Sequence, residues 1–600
     1  MSEQVSQAAL ARVATVAELD RAGLLTVHVN GHTVALFRHA DQVYAIDNRC
    51  PHMGFPLDRG TVKDGILTCH WHHARFDLAS GGTFDQFADD VPAFPVTVRD
   101  GEIWIDTESG PDPLTHQADR LKVGLERDIS LVIAKAVLTL MDGDPGDGTR
   151  AQGPFATGLE FGATYRRAGW GQGLTIHVCF MNLLPHLARG ERPRALVHGL
   201  AAVARDSAGM APRFPVRPLP EAAPDVPTLK RWLRRFIEVR DAEGAERCVI
   251  SALRAGADHV QMADMLFAAV TDRRYIDVGH PADFTNKALE ALDIAGWDYA
   301  EPVLTSLVTG YANAARMEES NAWRNPVDLI EILQAAFEEL PQAWAAGQAA
   351  DSAALPDFDA LAQILLQDDP QATVDALLDA LRRGYAGADL AAVVCYAAAR
   401  RVAQFHTSNE FGDWDTALHT FTFANAMHQG MRRAPSPELL RGVFDAAMSV
   451  YLDRFLNMPA ARLPEVGARA SQNGAGVNGT GQSEAGLLEE LATQLDRQQQ
   501  VNPAALTVAR YLHGSGAATD LTAQIGKLLL REDRDFHTIQ CVEAAIRQWT
   551  LTDDPVRRSH FLIAAIRYLA AHSPTVRAQG QTYQIASRLH RGEELFTETE

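Results

Sequence analysis

The sequence predicts a multidomain chain of mixed class: an antiparallel β module at the N-terminus, then a large all-α domain of helical repeats. Three observations predict it. Residues 24–106 fall into short β-branched and aromatic runs separated by turn dipeptides. From about Leu121 onward alanine and leucine dominate, and apolar residues recur at helical spacing. A chain of 600 residues also exceeds one ordinary domain.

Taken in order, Leu25–Val29 and Thr33–Phe37 flank Asn30-Gly31, a strong signal for a tight hairpin turn. Gln42–Ile46, Ile66–Cys69, Phe94–Arg99 and Glu102–Asp106 continue the strand pattern, with Asp100-Gly101 at the last turn. Glu108-Ser-Gly-Pro-Asp-Pro-Leu114 reads as a linker. Beyond it, Thr228–Arg240 places Leu229, Trp232, Leu233, Phe236 and Ile237 on one helical face and its Lys and Arg residues elsewhere. Glu243–Ala255, Asp375–Arg383, Asp389–Ala403, Glu484–Arg497 and His537–Thr550 read the same way. The Gly-, Asn- and Ser-rich stretch 468–483 has no periodicity and predicts a mobile surface loop. The expected division is therefore a β domain over 10–107, a linker over 108–116 and an all-α domain over 117–600.

Composition narrows the function. An apolar share of 46% allows large cores. A net charge of −21 argues against nucleic acid as a partner, because phosphate binding needs concentrated Lys and Arg. No apolar run is long enough to span a bilayer, and the opening MSEQVSQAAL lacks the basic and apolar regions of a secretory signal, so a cytoplasmic protein is expected. Six cysteines make no disulfide framework.

Two short pairs carry chemistry. Cys50-Pro51-His52 and Cys69-His70-Trp71-His72 give Cys-x-His and Cys-x-x-His, sixteen residues apart. Two thiolates and two imidazoles could hold zinc. They also fit a two-iron cluster in which one iron keeps thiolates and the other takes imidazoles. Gly54, Gly60 and Gly81-Gly82 permit tight loops around them. The segments CPHMGFPLDRG and CHWHHARFDLASGG, followed by VTVRDGEIWID, resemble the Rieske [2Fe–2S] family, in its ferredoxin-type and ring-oxygenase-type members. The resemblance covers about one sixth of the chain. It implies that Cys50 and Cys69 ligate one iron and His52 and His72 the other, with His70 and His73 facing solvent. High-potential respiratory members carry two further cysteines in these loops. Here Met53-Gly54-Phe55 and His70-Trp71 stand there instead. The resemblance thus implies a potential toward the low part of the roughly −150 to +300 mV range of Rieske centres.

No nucleotide site is visible. Gly169-Trp-Gly-Gln-Gly173 lacks the GxGxxG spacing, and no Walker A pattern occurs, so an external NAD(P)H-dependent reductase or ferredoxin is expected to supply electrons. A faint repeat runs through the helical region, in which Gly153, Gly256, Gly384 and Gly514 each precede a histidine by twenty-two to twenty-four residues. The histidines are His177, His280, His406 and His537. Each is expected near a helix start, and some of them are expected to bind a mononuclear non-haem iron. Asp283, Glu410, Asp413 or Glu543 would complete a two-His-one-carboxylate site, with His419 and His259 in reserve. Gly412–His419 with His428 resembles only loosely the Asp/His motif of ring-hydroxylating oxygenases, and those ligands are not carried over. The expected function is an oxygenase-like oxidoreductase acting with O2 on a small organic substrate. The alternative is a non-catalytic ferredoxin fused to a helical docking domain. An external partner is expected to reach the cluster at His52 or His72.

Overall fold

A computed structural model describes residues 10–108, 112–146, 148–220, 224–350, 357–464, 483–514, 516–593 and 595. The loop expected at 468–483 falls, apart from Ser483, outside the described residues. Two compact units are present. One comprises the chain to Pro145, Thr149–Pro154 and the chain from Gln579; the other runs essentially from Phe155 to Ala578.

The first unit is built on β1 (Leu10–Thr15), β2 (Leu24–Val29), β3 (His32–His39), β4 (Gln42–Asp47), β5 (Thr61–Lys63), β6 (Ile66–Thr68), β7 (Arg75–Asp77), β8 (Ala93–Phe94), β9 (Val96–Arg99) and β10 (Glu102–Asp106). They form three antiparallel sheets, ordered β1-β10-β9, β2-β3-β4-β8 and β5-β6-β7. The expected hairpins are present. Asn30 and Gly31 at φ 47° and 82°, and Asp100 and Gly101 at 51° and 79°, are the left-handed pairs that match the twist of the flanking strands. Phe94–Arg99 is not one strand. Pro95 has no N–H for a ladder and divides it into β8 and β9, which belong to different sheets.

Helix Pro113–Arg127 begins inside the stretch read as linker. Pro113 needs no hydrogen bond at the first helical position, and the Asp112 carboxylate caps the Thr115 N–H. This helix packs with Ser130–Leu140, and both belong to the first unit. Asp89 accepts from His116 at 2.9 Å and Gln117 at 2.9 Å and forms an ion pair with Arg120 at 3.0 Å, and Arg120 donates to the Ala88 carbonyl. These bonds tie the first helix of the pair to loop 85–91.

The second unit is helical throughout its described residues. Its helices bury Ala, Leu, Val and Phe on their inner faces, and the expected amphipathic segments appear within a few residues, as in Val226–Glu238 and Gly387–Ala403. No helix is long and apolar enough to cross a membrane among the described residues.

Candidate metal centres

The two Cys/His segments fold into loops of matching construction. Each is closed by an antiparallel pair, Arg49 with Pro56 in one and Thr68 with Arg75 in the other. In each, the cysteine N–H donates to the carbonyl five residues on: Cys50 to Phe55 and Cys69 to Ala74, both at 2.9 Å. In each, the N–H four residues on donates back to the cysteine carbonyl, from Gly54 at 2.8 Å and from His73 at 3.0 Å. That fourth position is left-handed in both loops, at φ 82° for Gly54 and 61° for His73. The backbone bends identically, so each loop delivers a cysteine at its base and a histidine at its tip.

The side chains converge. Cys50 and Cys69 are buried, and their thiols share a hydrogen bond. That bond pulls the Cys69 thiol down to about 6 and pushes Cys50 up, so one of the two is readily a thiolate. The His52 and His72 rings stand 4.8 Å apart, edge to face. His52 is half-buried against Phe87, and its Nδ1 is buried with no hydrogen-bond partner. Burial holds it at about 4, neutral and able to ligate. A hydrogen-bonded pair of thiols and an edge-to-face pair of imidazoles, one with an orphaned ring nitrogen, fit a cluster that takes thiolates on one iron and imidazoles on the other. His70 and His73 are exposed, as expected. His72 is exposed, whereas His52 is half-buried, so only the His72 edge fully meets the expectation of surface access.

One neighbour was not legible in the motif. Lys135, on helix Ser130–Leu140, turns its ammonium onto the cluster loop and donates to the carbonyls of Pro51 and His52, the latter at 2.5 Å. Burial draws it down to about 8, against the opposing pull of Asp89 and Cys50. The signal was present: Lys135 is the only charge in the apolar run SLVIAKAVLTL.

In the second unit, His280, His419 and His537 converge, one ligand nitrogen from each lying within 4.8 Å of the others. His280 is the first residue of helix His280–Ala295, His419 lies inside Phe411–Arg433, and His537 is the second residue of Phe536–Leu551. The His419 and His537 Nε2 atoms are 3.0 Å apart. Two ligands about 2.1 Å from one ion at a right angle would be separated by about the same distance. Burial pushes His280 down to about 4 and His419 to about 3, so both are neutral. The other ring nitrogen of His537 faces the Asp415 carboxylate at 3.7 Å, and Tyr568 donates its hydroxyl to that carboxylate. A carboxylate behind an imidazole is the usual orienting partner of a ligating histidine.

The expected ligands are thus sorted. His280 and His537 meet, and the reserve His419 completes the trio. His177 is wholly buried mid-helix, its Nε2–H directed to the Phe155 carbonyl at 3.0 Å. His406 lies between helices and bonds Ser408 at 2.7 Å. Reserve His259 is exposed beside Trp297. The apparent repeat therefore does not mark equivalent positions. The expected carboxylates are engaged elsewhere: Glu410 and Asp413 form a helix capping box, Asp283 accepts from Gln540, and Glu543 pairs with Lys287 at 2.6 Å.

The backbone before His280 is unusual. Tyr275, Asp277 and Val278 have φ of 41°, 44° and 48°, and Gly279 has 91°. A left-handed β-branched valine is strained. The Asp277 N–H donates to Ala315 at 2.7 Å, and Gly279 lies against Phe423, where a Cβ would approach to 2.7 Å. Tyr275, Val278 and His419 all line one cleft of about 450 Å³.

Comparison with known proteins points at the first unit. Residues 9–95 match the Rieske [2Fe-2S] domain. The chain is 32% identical over 84 residues to the ferredoxin component of the alkene monooxygenase system of Xanthobacter autotrophicus, covering 14% of this chain and 69% of that protein. It is 34% identical over 95 residues to the ferredoxin subunit of 3-phenylpropionate/cinnamic acid dioxygenase from Photorhabdus laumondii, covering 16% of this chain and 90% of that one. Apoptosis-inducing factor 3 of Homo sapiens is 27% identical over 96 residues, 16% of either chain.

Proposed function

Because the chain belongs to the Rieske [2Fe–2S] family through residues 9–95, we propose that it is a redox enzyme in which both units act. Electrons from an outside NAD(P)H-dependent reductase or ferredoxin enter at the Cys50–His52 and Cys69–His72 loops. His280, His419 and His537 would hold a metal that accepts these electrons and supplies the O2 chemistry for oxygenating a small organic substrate. Inserting one oxygen atom uses O2, two electrons and two protons and releases water. A cluster that carries one electron at a time must therefore deliver twice per turnover.

The convergence of three imidazoles beside a cleft carries this reading. A [2Fe–2S] cluster bound by Cys50, Cys69, His52 and His72 supplies one-electron transfer at a potential raised by its imidazoles. Three imidazoles suit iron as well as zinc or copper, and leave coordination positions open. The Asp415 carboxylate lies 3.7 Å from His537 Nδ1, and His419 lines the cleft.

Elemental analysis tests the reading. More than two irons per chain are expected, the excess lost in His280→Ala and His419→Ala, together with oxygen uptake when reductant and substrate are supplied. Two irons per chain, unchanged in those variants, would refute it. The ferredoxin subunits among the relatives favour a second reading, a ferredoxin carried on a helical docking platform. It gives two irons and no oxygen uptake.

A further inference from the structure

The cleft of about 450 Å³ in the second unit is the size of a small-molecule site, for which 300–1,000 Å³ is typical. Its walls are largely apolar and include Val278, Trp323, Val327, Leu452 and Leu456. Trp323 and Tyr275, both in the lining, stack with ring centroids 5.9 Å apart. On helix Phe411–Arg433 the lining residues Thr416, His419 and Thr420 share one face, so the cleft runs alongside an imidazole of the trio. The strained Tyr275–Gly279 turn supplies both Val278 to the cleft and His280 to the trio.

The polar groups in this lining are mostly satisfied. Tyr275 is hydrogen-bonded to Thr420 and Ser449. Arg454 is stacked over Tyr451 and Phe455 and paired with Asp368. Besides Arg454 Nε, the buried atom of this lining with no hydrogen-bond partner belongs to Asp453. Asp453 is 4% exposed, it bonds Thr420, and its Oδ2 is buried with no partner. A buried acceptor left unpaired is destabilising, and a bound donor removes that penalty.

We propose that this cleft binds a ring-sized apolar molecule carrying one hydrogen-bond donor, a hydroxyl or an amine N–H, which Asp453 accepts while the ring lies against Trp323. The molecule is a substrate only if the metal reading above holds; the binding site itself does not depend on it. An anionic molecule is disfavoured, because the cleft's arginine is already paired with Asp368 and a carboxyl lines the same cleft.

Calorimetric titration of the full chain with 2-naphthol tests this, with 2-methoxynaphthalene as the ring without a donor and 2-naphthoate as the anion. 2-Naphthol is expected to bind at least tenfold more tightly than either. Asp453→Val should erase that preference. Ala322→Trp, at an exposed position on the cleft, should abolish binding while leaving the helical circular dichroism unchanged. Tightest binding by 2-naphthoate, equal binding of all three, or undiminished 2-naphthol binding in Ala322→Trp would overturn the proposal. Metal content separates the two readings. Expected 2-naphthol binding with only two irons would sink the oxygenase and leave the cleft standing. A third metal without 2-naphthol binding would do the reverse.

Discussion

At the scale of single residues, Lys135 joins a cluster loop to a helix outside the matched Rieske segment. Its ammonium is partly desolvated and lies on the carbonyls of Pro51 and His52, where charge is weakly screened. Reduction adds negative charge to the cluster, so a fixed cation beside it favours the reduced form, as charge and hydrogen bonding tune such centres generally. Lys135→Met should lower the midpoint potential by about 60 mV, a tenfold shift in the one-electron equilibrium, with Lys135→Arg restoring most of it. An optical redox titration reads this, and an unchanged visible circular dichroism spectrum excludes mere loss of the cluster. His177 gives a different outcome. Burial holds it at about 4 against an ordinary 6.5. Below pH 6.5 the unfolded chain takes a proton that the folded chain refuses until about pH 4. Its contribution to stability is therefore complete above 6.5 and lost as pH falls, by about 1.4 kcal/mol per unit. His177→Gln, which can still donate to Phe155, should show a shallower decline in urea stability between pH 6.5 and 4.5 than the parent.

At the scale of elements, the helices carrying His280 and His537 share a buried polar column below them. Asp283, Lys287 and Glu290 follow on one; Gln540, Glu543 and Arg547 on the other. Lys287 pairs with Glu543 at 2.6 Å and Glu290 at 3.0 Å, and Asn182 donates to both carboxylates. Lys287→Met would leave Glu290 and Glu543 with the more distant Arg547 as their cation and should destabilise the helical unit by about 3–5 kcal/mol. Adding Glu543→Leu should recover part of that loss, a coupling that a double-mutant cycle in urea would measure. This column also explains what could be read from sequence. Hairpins announced themselves through Asn30-Gly31 and Asp100-Gly101, because a left-handed pair leaves few residue choices. Strands β5 and β7 have three residues each, too short for alternation to show. Cys50, His52, Cys69 and His72 were legible because two loops of matching construction fix their spacing. The imidazole trio was legible only in part. His419 sits mid-helix, and its partners lie more than a hundred residues away in either direction, so only packing reveals it.

For the whole molecule, the two units hold different donor sets: thiols and imidazoles in one, imidazoles alone in the other. Cysteine sulfur is soft and anionic when it binds iron, and serine cannot replace it in a two-thiolate site. Replacing Cys50 and Cys69 together by Ser should therefore remove the visible absorption and two irons per chain. On the proposed reading, a metal held by His280, His419 and His537 should remain, because none of these three residues has changed. If electrons reach that metal through the cluster, reductase-driven oxygen uptake in this variant should fall to background, whereas hydrogen peroxide, which brings oxygen already reduced by two electrons, should still support product formation. Uptake that persists without the two thiols would mean that the helical unit is reduced directly, and that the Rieske unit serves some other acceptor.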